Sequence, residues 1–165
     1  MFRSVDLPAG VSGRLLLHSL PGRFEALERV WSQVRNDSVR AIVCLPEKHE
    51  IQLKSYEYAR ALEGDTVPCS VIPFEIPEGG AAADREAFWA LAIDIAARLQ
   101  SGEAVLIHCV GGVGRTAMLA ICVLLALGQP GCEARTVVSR AGSTIETLPQ
   151  GDLISWCASQ VAAKV

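Results

Sequence analysis

Apolar residues along this chain come in two rhythms that take turns. Short runs occupy residues 14–18, 39–45, 67–74 and 104–108, and each ends in or contains turn-forming residues. Leu20-Pro21-Gly22 follows the first, Pro46 the second, Pro68 and Pro73 break up the third, and a Gly-rich stretch follows the fourth. Runs of this length, aliphatic and often β-branched, read as buried strands. Between them the spacing becomes helical. Phe24, Leu27, Val30, Trp31 and Val34 mark one helix; residues 51–62 mark a second, with Gly64 just beyond its end; Asp84 is placed to cap a long helix ending at Gln100. Further helices are predicted over 115–127, 132–140 and from Ile145 or later to Ala163, while 75–82, with Pro77, Gly79 and Gly80, reads as a loop. Strands alternating with helices predict an α/β domain with a mostly parallel central sheet flanked by helices. In such sheets ligands gather beyond the carboxyl ends of the strands. The stretch 108–116, which follows a strand and opens a helix, lies at such an end.

Composition narrows this picture in three ways. The 165 residues show no repeat and no linker, so one domain spanning 1–165 is expected. The net charge of −3 gives no electrostatic reason to bind nucleic acid or an anionic membrane, and neither is expected as a partner. Affinity for phosphate must then be built locally. The longest apolar run, 117–127, falls short of the roughly 18 residues a membrane span needs and reads as a core helix. Residues 1–10 lack the apolar core of a secretory leader. Cys44, Cys69, Cys109, Cys122, Cys132 and Cys157 form no CxxC pair and no His-containing ligand cluster, so no metal or other cofactor is expected. Free thiols in apolar runs behave as small hydrophobes, which points to a reducing, cytoplasmic setting.

The chemistry concentrates in His108-Cys109-Val110-Gly111-Gly112-Val113-Gly114-Arg115-Thr116. Five residues separate Cys109 from Arg115, and three of them are glycine. Glycines let successive N–H groups of Val110, Gly111, Gly112, Val113 and Gly114 converge on one oxyanion. The helix starting near Arg115 aims its positive end at the same point, and Arg115 adds a charged fork for phosphoryl oxygens. Such fields favour the Cys109 thiolate and hold a nucleophile in line with phosphorus. Thr116 is placed to donate a hydrogen bond to the sulfur, and His108 to brace the loop backbone. No Gly-Lys-Ser/Thr follows the glycines, so this is not a Walker loop.

The His-Cys-x5-Arg-Thr pattern resembles the signature of the protein tyrosine phosphatase superfamily, in particular its small atypical dual-specificity members and the cyclin-dependent-kinase-associated phosphatase group. Leu20-Pro21-Gly22, Val43-Cys44, the stretch from Pro73 to Gly80 and Ile145-Glu146-Thr147 with Gln150 have counterparts there, so the resemblance spans about residues 14 to 160. It implies that family's cysteine-dependent phosphatase fold and hydrolysis of phosphoproteins through a phosphocysteine intermediate. Phosphotyrosine is the expected substrate, with phosphoserine and phosphothreonine as further candidates.

The resemblance also implies a general acid, normally an aspartate in Pro-Asp-Gly-Gly. Here Pro77-Glu78-Gly79-Gly80 puts Glu78 at that position, with Asp84 as the alternative acid and Glu75 as a solvated loop residue. Gln150 and Glu146 are implied as residues that position the hydrolytic water, and Cys44 as a redox partner that traps oxidised Cys109. Lys48 and His49 follow the strand ending near Cys44 and are candidates for contacts with a phosphopeptide. Val110 and Val113 stand where inositide-directed relatives often carry lysines, which favours phosphoprotein over phosphoinositide. The rival reading is a catalytically weak or inactive phosphate-binding module, in which the replacement of aspartate by glutamate has removed turnover.

Overall fold

The computed structural model describes residues 1–163. The strands are β1 (Arg3–Val5), β2 (Arg14–His18), β3 (Val39–Cys44), β4 (Ser70–Pro73) and β5 (Ala104–His108). The helices are α1 (Leu27–Asn36), α2 (Lys48–Lys54), α3 (Tyr56–Glu63), α4 (Arg85–Gln100), α5 (Gly114–Ala126), α6 (Gly131–Arg140) and α7 (Leu148–Ala162). The sheet runs β1-β2-β5-β3-β4, parallel throughout except for the antiparallel edge strand β1. The α/β expectation is met.

Alternation along the strands divides the core between the two faces. Leu15, Leu17, Val43, Val105 and Ile107 pack with residues of α4, α5, α6 and α7, such as Phe88, Ile95, Met118 and Ile154. Leu16, Ile42 and Leu106 pack on the other face with Val30, Trp31, Val34 and Tyr58 from α1 and α3. Helix α5 is buried on every side from Gly114 to Leu125, which is why its apolar residues run without amphipathic spacing. Strand β5, buried at all five positions, lies between β2 and β3, and His18, His108 and Cys44 stand side by side where these three parallel strands end. The chain leaving His108 therefore emerges in the middle of the sheet's carboxyl edge.

Several boundaries differ from the pattern. Strand β1, only Arg-Ser-Val, was not predicted; its pairing with Leu15, Leu16 and Leu17 creates it. Phe24 lies outside α1, two-thirds exposed, with the Arg23 guanidinium 4.5 Å from its ring centre. The single helix expected over 51–62 is two. It begins earlier, at Lys48, and breaks at Ser55, whose φ of −156° is extended and whose hydroxyl donates to the Pro21 carbonyl at 2.7 Å. Strand β4 is shorter than 67–74, and α7 starts at Leu148 with Pro149 in its first turn, where a missing N–H costs nothing. Asp84 does cap α4: its Oδ1 accepts from the Ala87 N–H at 2.9 Å. Among the described residues, no helix is long and apolar enough to cross a membrane.

Candidate active site

Residues 109–113 turn from β5 into α5, and most carbonyls of this turn are held from outside. Cys109 O accepts from His108 Nδ1 at 3.2 Å. Val110 O accepts from Leu20 N–H and from Arg23 Nη1, both at 3.1 Å. Gly112 O accepts from Arg3 Nη2 and from Ser143 Oγ, both at 2.6 Å, and Val113 O accepts from Ala117 N–H at 2.8 Å. A trans peptide carries its carbonyl and the following N–H on opposite sides. Each outward carbonyl thus turns the N–H of Val110, Gly111, Val113 or Gly114 away from its brace. A run of N–H groups so disposed, at the head of a helix, is an anion nest. Cys109 is 3% exposed, at the floor of a cleft of about 150 Å³, and its sulfur accepts from Gly112 N–H at 3.2 Å.

Arg115 is committed more tightly than the spacing foretold. Its Nη1 donates to Glu50 Oε2 at 2.7 Å and to Ile76 O at 2.8 Å, and its Nη2 donates to Glu50 Oε1 at 2.9 Å. Both side chains are about 95% buried. Nε–H and the second Nη2–H have no partner among the described residues, so one edge of the fork remains for an oxyanion. Burial works against the charge on each partner. Their mutual hydrogen bonds outweigh it, with the Glu47 N–H assisting Glu50, so Arg115 is raised and Glu50 is held below the usual carboxylate range.

His108 braces rather than transfers protons. Complete burial pushes its imidazole down to about 3, against the opposing hydrogen bond to Cys109 O, so it is neutral at ordinary pH. A carbonyl can only accept, so Nδ1 carries the proton and Nε2 accepts from Tyr58 O–H at 3.0 Å. Tyr58 packs in the same core as Cys44, whose thiol burial pushes up to about 12.

Two expectations, for Thr116 and for Lys48 with His49, need correction. Thr116 Oγ1 is buried with no partner among the described residues, so it does not hold the sulfur; Gly112 N–H does. Cys44 packs with Tyr58 in the core on the α1 and α3 side, Cys109 packs in the core on the other side, and both thiols are free in this structure. Gln150 is wholly buried; it accepts from Glu146 N–H at 2.8 Å and donates to Gly80 O at 3.4 Å, tying the 77–80 loop to the α7 entrance, and its Nε2 lies against Gly114 at the edge of the cleft. Lys48 and His49 sit in the first turn of α2, and Lys48 lines a separate, mainly apolar cavity of about 370 Å³ between α2, α3 and β4. The lysine that lines the cleft is Lys54.

Glu78 and Glu146 do line the cleft. Glu78 is 72% exposed and its carboxylate lies 3.8 Å from Lys54 Nζ. Glu146 crowds Gly114 so closely that a Cβ there would collide with its carboxylate. Asp84 does not line the cleft and is engaged as a cap. Sequence reasoning missed Glu50, Arg3, Ser143, Tyr58 and Arg23. Only Glu50 carried a signal, three residues after Glu47 in a capping-box spacing, and that signal pointed to a helix start.

A family model described as "Polymorphic toxin system, DSP-PTPase phosphatase" matches residues 18–129. Cyclin-dependent kinase inhibitor 3 of Rattus norvegicus is 30% identical over 92 residues, which span 53% of this chain and 43% of that protein, less than half its length. Among solved structures, a kinase associated phosphatase with its catalytic-site cysteine replaced by serine superposes with a TM-score of 0.81 at 19% identity, covering 100% of this chain and 97% of that one. Tk-PTP in its active form superposes with a TM-score of 0.73 at 25% identity, covering 96% and 97%.

Proposed function

This chain belongs to the dual-specificity-type phosphatase family of polymorphic toxin systems, and from that membership we propose a two-step hydrolysis of phosphoproteins carried by Cys109, Arg115 and Glu78. In the first step the Cys109 thiolate attacks phosphorus and the bond to the leaving oxygen breaks. The Glu78 carboxyl gives that oxygen its proton. In the second step water attacks the phosphocysteine, Glu78 takes up the water's proton, and the S–P bond breaks to return the thiolate and free phosphate. The N–H nest and the open edge of Arg115 stabilise the charge that spreads over the phosphoryl oxygens in both steps.

The observation that carries this reading is the outward bracing of the 109–113 carbonyls around a nearly buried cysteine, beside an arginine with one edge of its fork free. The rim supports a protein substrate. Arg23 and Lys54 line the cleft, and their chain neighbours Phe24 and Leu53, with nearby Tyr56, are 68%, 80% and 67% exposed. Exposed apolar side chains so close in sequence to the cleft suit residues flanking a phosphorylated side chain. A cytoplasmic, reducing location belongs to the same proposal, since a catalytic thiol must stay reduced.

Release of phosphate from a phosphotyrosine peptide, and from matched phosphoserine and phosphothreonine peptides, tests the proposal. Wild type is expected to turn over, Cys109→Ser to be inactive and Glu78→Gln to be strongly slowed. Tight peptide binding without release by wild type selects the binding-module reading instead.

A further inference from the structure

The Gly112 carbonyl is gripped from two sides by residues far away in sequence. Arg3 Nη2 and Ser143 Oγ each donate to it at 2.6 Å. The same guanidinium crosses to the turn after α6, where its Nη1 donates to Gly142 O at 2.5 Å, Ser143 Oγ at 3.0 Å and Ala141 O at 3.2 Å. Strand β1 exists in register with β2, Arg3 opposite Leu17, so the pairing delivers Arg3 beside the loop.

Gly112 leaves one side of this peptide free to turn. Gly112 sits at φ 71°, in the left-handed region, and a glycine rotates about its own backbone bonds with little steric penalty, so on that side the Gly112–Val113 peptide has no side chain to hold its plane. If the peptide between Gly112 and Val113 flipped, its carbonyl oxygen would face the oxyanion site and Val113 N–H would face outward. One donor of the nest would become an acceptor. Two donors on the outward carbonyl, one of them charged, oppose that flip.

We propose that Arg3 is a positioning residue of the phosphate site, which with Ser143 clamps the Gly112 carbonyl outward and so keeps the Val113 N–H in the anion nest. This rests on the reading of 109–115 as a phosphate-binding loop. Arg3 makes no bond to the sulfur; it acts through one peptide plane. Burial lowers Arg3, and Cys109 partly offsets that.

The test uses the intact protein and inorganic phosphate as the probe, measured by its protection of Cys109 against iodoacetamide. Arg3→Gln is expected to weaken phosphate protection by about tenfold or more, the effect of losing a charged hydrogen bond. Arg3→Lys is expected to recover part of it, since an ammonium supplies charge but not a planar bridge between Gly112 O and the 141–143 turn. Ser143→Ala is expected to weaken protection by several-fold, and the double variant by less than the product of the two, because both residues hold one carbonyl. Thermal unfolding of each variant separates this from general stability. A loss of Tm with unchanged phosphate protection overturns the proposal, and so does full recovery in Arg3→Lys. If Arg3→Gln fails to fold, an unchanged phosphate affinity in Ser143→Ala overturns it. If phosphate does not protect wild-type Cys109 at all, the phosphate site itself is wrong, and the role of Arg3 falls with it.

Discussion

Arg115 and Glu50 form a two-pronged ion pair beneath the phosphate loop, with Nη1–Oε2 at 2.7 Å and Nη2–Oε1 at 2.9 Å. Because Glu50 also accepts the Glu47 N–H at the start of α2, the pair ties that helix to the head of α5. It sets the plane of the guanidinium and leaves its other edge for an oxyanion. Glu50→Ala strips a buried cation of its counter-charge and is expected to lower stability by about 3 kcal/mol, read from urea unfolding. Glu50→Gln keeps the shape and is expected to cost less, while raising KM for a phosphopeptide. An unchanged KM in the Gln variant would show that Arg115 orientation does not depend on Glu50.

Glu78 and Asp84 are separated by what their carboxylates already do. Asp84 caps α4, so Asp84→Asn is expected to leave peptide turnover within about twofold and to cost at most about 1 kcal/mol of stability. Glu78→Gln is expected to slow phosphotyrosine peptide hydrolysis by about a hundredfold or more. It should slow p-nitrophenyl phosphate hydrolysis much less, because that leaving group scarcely needs a proton. Loss of turnover in Asp84→Asn with full activity in Glu78→Gln would reverse the assignment.

How much of this was legible in sequence depends on the reach of each interaction. Strands β2, β3 and β5 and helix α5 are continuous apolar runs that need burial on all sides, and they were read correctly. The loop from Cys109 to Arg115 was legible because its chemistry is local, a cysteine, an arginine and glycines within one turn. Ser55 was missed because apolar spacing continues across it, and the break comes from a bond to Pro21. Glu50, Arg3 and Ser143 were missed because each reaches its partner across a long stretch of chain, 65, 109 and 31 residues, and none lies in a local pattern. Thr116 was given a bond to the sulfur that its buried hydroxyl does not make.

His108 makes stability depend on acid. In the folded chain burial pushes it down to about 3, whereas an unfolded histidine titrates near 6.5. Above pH 6.5 both states are neutral and its contribution is fully present. As pH falls from there toward 3 only the unfolded chain takes up the proton, so stability declines by on the order of 1 kcal/mol for each pH unit. His18, lowered first of all by burial, acts in the same direction. Urea midpoints measured at pH 7.5, 6 and 5 are expected to fall in that order, and a flat series would contradict a neutral buried His108.

Cys44 is expected to offer no rescue from oxidation. Its thiol is pushed up to about 12 and faces Tyr58 across the sheet from Cys109. After peroxide treatment, Cys44→Ser is expected to recover activity in thiol reductant to the same extent as wild type. A cross-linked peptide pair containing Cys44 and Cys109, found by mass spectrometry in oxidised wild type, would contradict this.

The most direct measurement is rapid acid quench of wild-type protein mixed with a radiolabelled phosphotyrosine peptide. The account predicts transient label on the peptide containing Cys109, stable to acid and absent in Cys109→Ser. Phosphate release that persists in Cys109→Ser, or turnover with label on no cysteine, would contradict it.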